Sequence, residues 1–420
     1  MEIPQDAPSP APATSHPVRL VVTDDLRRSR LTVFFRLFLA LPHLLWAALF
    51  SVGAFWAAFA SWWVTLFTGR SPKGLHNFLA GFVRYVTQVE AYVLLAANPF
   101  PAFYLGDESK GYPVDVEIDP PAPQRRLATL FRLFLALPAL LISFALTGGG
   151  GGYSGYYRAG GAAALAAIFI WFAALARGRA PKGLRDLTVW GIGYSAQVTA
   201  YLFLLTDRYP NSDPLRHVPS PSEDAPAPGQ PARGIVADDL RRSRLTVLFR
   251  LPLWIPHLFW ILLWTMAALV AAFLGWFAAL ALGRLPRPFS RFLSAYVRYS
   301  VHNSAFLYLI GNPFPGFVGK PESYPIDLEI HHGDSQRRLT ILFRLFLALP
   351  ALLLAGAASG VVEVAAILGW FVSLVRGRMP EGLRNAGAWS LAYSGQAAAY
   401  AFLLSDRYPF SSPTAVRWDA

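Results

Sequence analysis

The segment Arg30-Leu31-Thr32-Val33-Phe34-Phe35-Arg36-Leu37-Phe38-Leu39-Ala40-Leu41-Pro42 is written four times, returning as Arg126 to Pro138, Arg244 to Pro256 and Arg338 to Pro350. Each copy holds an arginine six residues before its proline, at Arg36, Arg132, Arg250 and Arg344, and each runs into a long apolar stretch. On a helix, Arg28, Thr32 and Arg36 fall at i, i+4 and i+8, a narrow polar stripe on an otherwise apolar cylinder. The equivalent stripes are Gln124/Ala128/Arg132, Arg242/Thr246/Arg250 and Gln336/Thr340/Arg344. Such a helix suits the headgroup boundary of a bilayer, where guanidinium groups reach water while their stems stay among acyl chains. The four arginines are therefore candidate lipid-headgroup contacts. The competing reading is the buried first turn of an ordinary span.

Composition supports a membrane setting. The 420 residues are 54% hydrophobic and 15% charged, with mean hydropathy +0.38, outside the usual range of soluble domains and inside that of multispanning membrane proteins. A net charge of +12 would suggest nucleic acid in a soluble chain. Here most basic residues flank apolar runs, so the expected partner is anionic phospholipid and not nucleic acid. Another membrane protein is the second candidate partner. With no cysteine there is no disulfide, thiolate nucleophile or Cys-type metal centre, and no motif calls for a cofactor. The first fifteen residues are rich in Pro and Ala without a basic start, and read as a disordered tail rather than a signal peptide.

The repeats have the order A-B-A-B. Asp238 to Arg244 repeats Asp24 to Arg30, and Asn312-Pro313-Phe314-Pro315 repeats Asn98 to Pro101, so a two-unit half is duplicated in tandem. The units are 16–106, 107–210, 234–319 and 320–420, separated in the middle by a Pro/Ser/Ala-rich linker over 211–233. Each opens on a short apolar/polar alternation, clearest in Val114 to Ile118 and Ile326 to Ile330 and weaker in Val18 to Val22 and Gly234 to Ala237. These are expected to be short strands beside the membrane, or else extended linkers.

The first apolar run, His43 to Phe67 in unit 1 and His257 to Leu282 in unit 3, is about 38 Å long as a helix, enough to cross a ~30 Å hydrocarbon core. It ends at Gly-Arg-x-Pro, as in Gly69 to Pro72, Gly178 to Pro181, Gly283 to Pro286 and Gly377 to Pro380, where glycine supplies a left-handed cap and proline a stop. A second apolar helix follows over Leu75 to Ala97, Leu184 to Thr206, Phe289 to Gly311 and Leu383 to Ser405. Two crossings per unit predict eight in all, with every unit entering and leaving on the same face. That face carries the larger share of the basic residues, which puts both termini in the cytoplasm. The glycine-rich insertion between Thr147 and Ala162, echoed by the flexible Gly356 to Gly360, keeps a twelve-crossing alternative open, with Leu127 to Thr147 spanning alone.

The second helices repeat a polar stripe: Tyr85/Gln88/Tyr92, Tyr194/Gln197/Tyr201, Tyr299/His302/Phe306 and Tyr393/Gln396/Tyr400. The spacing i, i+3, i+7 puts each trio on one face, which must look toward other helices. It is either hydrogen-bonding glue or the lining of a cavity. Candidate intramembrane charges are Arg84, Glu90, Arg298 and Glu363; Arg84 and Glu90 lie on different faces of their helix and cannot pair. His43 and His257, after the motif proline, suit a structural or headgroup role. His331-His332-Gly333-Asp334 is a polar loop rather than a metal site, because the other units lack it. Metalloprotease, phosphate-loop, dinucleotide and Ser/His/Asp signatures are absent, so a catalytic role is the weakest class.

The pattern as a whole, R-L-x-x-x-F-R-L-x-L-x-x-P-H/A-L, a long apolar run, G-R-x-P-x-G-L, a second helix and D-R-Y-P, resembles the bacterial membrane family catalogued as domain of unknown function 4389. The likeness covers nearly the whole chain. Departures are Pro252 in the third motif, Pro288 for the turn glycine, Glu381 for its basic residue, and the insertion of unit 2. The resemblance implies an integral membrane protein and supplies no catalytic residues. The expected fold is an α-helical integral membrane protein of four tandem units, each an interfacial helix plus a transmembrane hairpin, with short membrane-proximal β-strands. Its expected place is the bacterial inner membrane, with two similar halves about a pseudo-twofold axis along the membrane normal. Its expected role is a non-enzymatic scaffold or partner-binding subunit, with transport, channel or lipid handling through the Tyr/Gln stripes as the alternative.

Overall fold

Each unit folds as a short helix, a long helix, a second helix and a strand. The structure, a computed structural model, describes residues 16–103, 111–148, 161–219, 232–330 and 335–418. In unit 1 these elements are β1 (Val18–Val22), α1 (Arg30–Phe34), α2 (Arg36–Thr68) and α3 (Lys73–Val93). Unit 2 has β2 (Val114–Ile118), α4 (Arg126–Leu130), α5 (Arg132–Thr147), α6 (Ala162–Arg177) and α7 (Lys182–Leu202). The second half repeats them as β3 (Ala232–Val236), α8 (Arg244–Leu248), α9 (Arg250–Leu282) and α10 (Arg287–Leu307), then β4 (Ile326–Ile330), α11 (Arg338–Leu342), α12 (Arg344–Arg376) and α13 (Glu381–Ala401), closing on β5 (Arg417–Trp418).

The expected interfacial helix and the first apolar helix are not divided at the motif proline. Pro42, Pro138, Pro256 and Pro350 lie inside the long helices, where proline removes one donor and bends the rod without stopping it. The break falls upstream instead, at Phe35, Phe131, Phe249 and Phe343, with φ near −90° and ψ near +10°. Gly69, Gly178, Gly283 and Gly377 all take left-handed caps. The second helices end four residues earlier than expected, because Leu95, Leu204, Leu309 and Leu403 adopt positive φ there. A leucine in that region carries no turn signal in sequence.

Neighbouring units pair with their long helices antiparallel, not parallel as two crossings per unit would require. The amide of Arg28 at the start of the first arginine helix donates to Gly178 at the end of α6, and that of Gln124 donates to Gly69 at the end of α2. Tryptophans fasten the same junctions: Trp62 donates to the Thr129 carbonyl and Trp171 to the Val33 carbonyl, with Trp276 to Ile341 and Trp370 to Val247 in the second half. Inversion is possible because the strand carries the chain back along the second helix. Tyr112 bonds Pro99 where α3 ends, His76 near the start of α3 meets the Asp119 carbonyl, and β2 lies between. The same return in unit 3 is pinned by Tyr324 on Pro313 and by Gln336 on Gly283.

The described residues on the two sides of the glycine insertion meet end to end. Gly161 sits against the end of α5 so closely that a Cβ there would lie 2.5 Å from the Gly148 nitrogen. The helices α5 and α6 thus succeed one another in place of a single long helix. The insertion itself, 149–160, lies outside the described residues. Gly356 to Gly360, expected to be flexible, is helical within α12.

The strands pair as an antiparallel β1–β2 sheet and a β4–β3–β5 sheet. These sheets pack on the second helices, and the long helices pack on another side of the same second helices. Halves join through the B units. Equivalent residues Trp190 and Trp389 meet edge to face at 5.0 Å, and Ala139, Ala162 and Ala166 pack with Leu354, Ala358 and Ala365. The tails after each half are exchanged: Ser412 donates to Asp186 at 2.7 Å, and Ser212 crowds Gly382.

His217 in the first tail gives this junction a pH dependence. Burial pushes its imidazole down to about 4, the neutral ring meeting the Asn211 carbonyl at 2.7 Å. The unfolded chain therefore takes up the proton first. Stability is full above about pH 6.5 and is lost as pH falls toward 4, on the order of 3 kcal/mol at the limit. The melting temperature should fall across this window and His217→Gln should flatten the slope; an unchanged slope in that variant counts against the assignment.

Candidate functional site

The last position of each polar stripe receives the motif arginine. The guanidinium carbon of Arg36 lies 4.0 Å over the Tyr92 ring, Arg132 4.1 Å over Tyr201, Arg250 4.5 Å over Phe306 and Arg344 4.2 Å over Tyr400. Each also donates to a carbonyl just past its second helix: Asn98 at 3.3 Å, and Thr206, Gly311 and Ser405 at 3.1 Å. Helix C-termini leave carbonyls without partners and carry partial negative charge, so a cation there is doubly favoured. The four arginines expected at lipid headgroups are instead 1%, 1%, 2% and 1% exposed. Their stripe faces the end of a neighbouring helix rather than a bilayer.

The residue eight positions earlier completes the cap. In A units, Arg28 binds the Leu95 and Ala96 carbonyls and pairs with Asp24 at 2.9 Å, and Arg242 does the same with Leu309, Ile310 and Asp238. In B units a glutamine takes this place. Gln124 and Gln336 donate to the Leu204 and Leu403 carbonyls and accept from Arg132 and Arg344 at 2.6 Å. Asp207 and Asp406 add carboxylates at 3.3 and 2.9 Å.

The other stripe positions close on different elements. Gln88 donates to Asp115 on β2 at 3.0 Å, and His302 meets Asp327 on β4 at 2.7 Å. Gln197 donates to the Val18 carbonyl and accepts from Asn211, while Gln396 accepts from Phe410. Tyr85 meets His43 at 2.9 Å and Tyr299 meets His257 at 2.7 Å, each histidine stacked on a phenylalanine, Phe103 or Phe317. Tyr194 and Tyr393 are buried at the junction of the halves, beside His217 and Trp389.

Arg84 and Arg298 reach sideways to the sheets, to the Val116 and Leu328 carbonyls and to Asp115 and Asp327 at 3.5 Å. Burial alone would raise the Asp327 carboxyl. The hydrogen bond from His302, with those from the Glu322 and Leu328 amides, holds it below the usual range instead. Glu90 is half-buried on α3, and Glu363 is exposed on α12. The strand acids Asp115 and Asp327 were not singled out in sequence, although both hold the same place in an alternating strand. Among the described residues no group of three or more His, Cys, Asp or Glu could hold a metal; 331–334 lies outside them. A cavity of about 300 Å³ between α10 and α13 is lined by Tyr296, Ser300, Ser304, Ser394 and Phe402 among others, and by no stripe residue.

A sequence model of the family described as Domain of unknown function (DUF4389) matches residues 30–104, 156–212, 244–318 and 338–412. No curated protein and no solved structure matches.

Removing one buried guanidinium strands its carbonyl, its carboxylate and its glutamine together. Arg344→Leu should therefore destabilise the chain by about 2–4 kcal/mol, and Arg344→Lys should recover only part of it, because an ammonium cannot lie flat on Tyr400 while bonding three oxygens. Unfolding in detergent measures this. Loss of anionic-lipid binding at unchanged stability would restore the headgroup role.

Proposed function

The chain belongs to the family described as Domain of unknown function (DUF4389), four copies of which cover well over half of it, and from that premise we propose a non-enzymatic membrane scaffold or partner-binding subunit. One observation carries this reading. Most positions of the polar stripes make internal contacts with the motif arginines, the strands and the histidines of the long helices, and Tyr194 and Tyr393 are buried at the junction of the halves. A transporter, channel or lipid-handling protein would need those groups on a wet passage.

A bilayer is the proposed setting because, among the described residues, Arg36–Thr68, Arg250–Leu282 and Arg344–Arg376 are long and apolar enough to cross one by length and composition. Nearly all exposed large apolar side chains belong to the long helices and the short helices that lead into them. The family resemblance suggests a bacterial inner membrane. Anionic phospholipid is the proposed partner, through exposed arginines such as Arg125, 88% exposed, rather than the motif arginines. Another membrane protein is the second.

Gln88→Leu and His302→Leu test the reading. Each leaves a buried aspartate short of a donor, so stability should fall by about 1–3 kcal/mol, while proteoliposomes show no solute flux before or after substitution. Flux that responds to either change at an unchanged melting temperature would replace the scaffold with a transporter.

A further inference from the structure

The molecule is lopsided, and the lopsidedness fixes how it meets a bilayer. Reciprocal contacts between units 1 and 2, Arg28 with Gly178 and Gln124 with Gly69, relate two antiparallel long helices by a local twofold perpendicular to them. Their second helices pack together and share one sheet. The twofold therefore runs through the layers, from sheet to long helices, and every unit turns its apolar helix to the same side. Units 3 and 4 repeat this through Arg242 with Gly377 and Gln336 with Gly283.

We propose that the long helices α2, α5–α6, α9 and α12 lie flat within one leaflet of an anionic bilayer, leaving the sheets in water. The proposal rests on the membrane reading above and specifies its geometry. Length argues first. Each uninterrupted long helix has 33 residues, about 50 Å, and its side chains are apolar and exposed from Leu37 at one end to Phe67 at the other. Fitting that length into a ~30 Å core needs a tilt of about 53°, beyond the usual range of roughly 0–40°. Lying flat, a helix needs only its own diameter of depth.

The sheets argue next. A spanning orientation would stand the strands in hydrocarbon beside the second helices, with Arg19, Glu117 and Asp119 forming ion pairs on their outer side. Open sheet edges do not survive against lipid. Charge argues last. Because the units alternate in direction, each end of the apolar layer carries the start of one arginine motif beside the Gly-Arg turn of its neighbour, such as Arg27 beside Arg179 and Arg241 beside Arg378. Flat in a leaflet, both rims lie at the level of phosphate groups.

The absence of cysteine makes the test clean. Single substitutions Arg70→Cys, Arg179→Cys, Arg284→Cys and Arg378→Cys are made in the full chain in a bacterial host, then labelled with an impermeant maleimide on spheroplasts and on inverted vesicles. All four should label from the same side, with labelling lost from the other. Arg70→Cys and Arg284→Cys labelling from one side with Arg179→Cys and Arg378→Cys from the other would mean spanning, and would overturn the proposal while leaving the membrane reading intact. A chain recovered only in the soluble fraction would overturn both. Depth gives a second measure: probes at Leu37→Cys, Val52→Cys and Phe67→Cys should be quenched equally by spin-labelled lipids, whereas a span would place Val52→Cys far deeper than its ends.

Discussion

The fold depends on a guanidinium held between an aromatic ring and the open end of a helix. A buried arginine is expensive, several kcal/mol before any compensation. At Arg132 and Arg344 the compensation comprises a ring face and, at the two terminal nitrogens, a helix-end carbonyl, a glutamine oxygen and a carboxylate, while Nε has no partner among the described residues. At Arg36 and Arg250 the carboxylate is displaced to the neighbouring Arg28 and Arg242, through Asp24 and Asp238. Either way, the clamp joins the start of the long helix to the end of the second one. It closes each hairpin without relying on the loop.

A second constraint follows from the kink at Phe35 and its equivalents. Breaking the helix one residue before the arginine turns the short helix aside, and the carbonyls of Val33, Thr129, Val247 and Ile341 are then taken by tryptophans of the paired unit. The same kink that seats the arginine therefore specifies the partner unit. Antiparallel pairing, the returning strand and the sheet on one side are consequences of that geometry.

Much of this was legible in the residues. Repeats, glycine caps and strands are local, and local chemistry fixes them: Gly69 has a left-handed turn to make, and Val114 to Ile118 alternates. The fate of Arg36 was not legible. A polar stripe at i, i+4, i+8 looks the same whether it faces phosphate or the end of a helix, and the carbonyls that answer it belong to residues some sixty positions away, such as Asn98. Unit orientation was hidden for a related reason. Charge counts assume that each hairpin returns the chain to its own side, whereas here a strand along α3 makes one further passage. The Tyr/Gln stripes were visible as a set, but each member answers a different element, which spacing on one helix cannot express.

The two unit types divide these tasks, and the division bears on where a partner could act. B units lie at the junction of the halves, with α7 and α13 buried along most of their length and Trp190 against Trp389 at the centre. Of their stripes, Tyr194 and Tyr393 lie at that junction, while Gln197, Tyr201, Gln396 and Tyr400 make their contacts within their own halves. A units lie outside, each second helix joined to a strand acid by Arg84 and Gln88 or by Arg298 and His302. Those contacts are ionic and directional, and they couple the sheet to an inner helix that also holds a long apolar one through His43 or His257. In the A units each sheet is thus joined to the apolar layer by two hydrogen-bonded steps, while the halves meet through the B units.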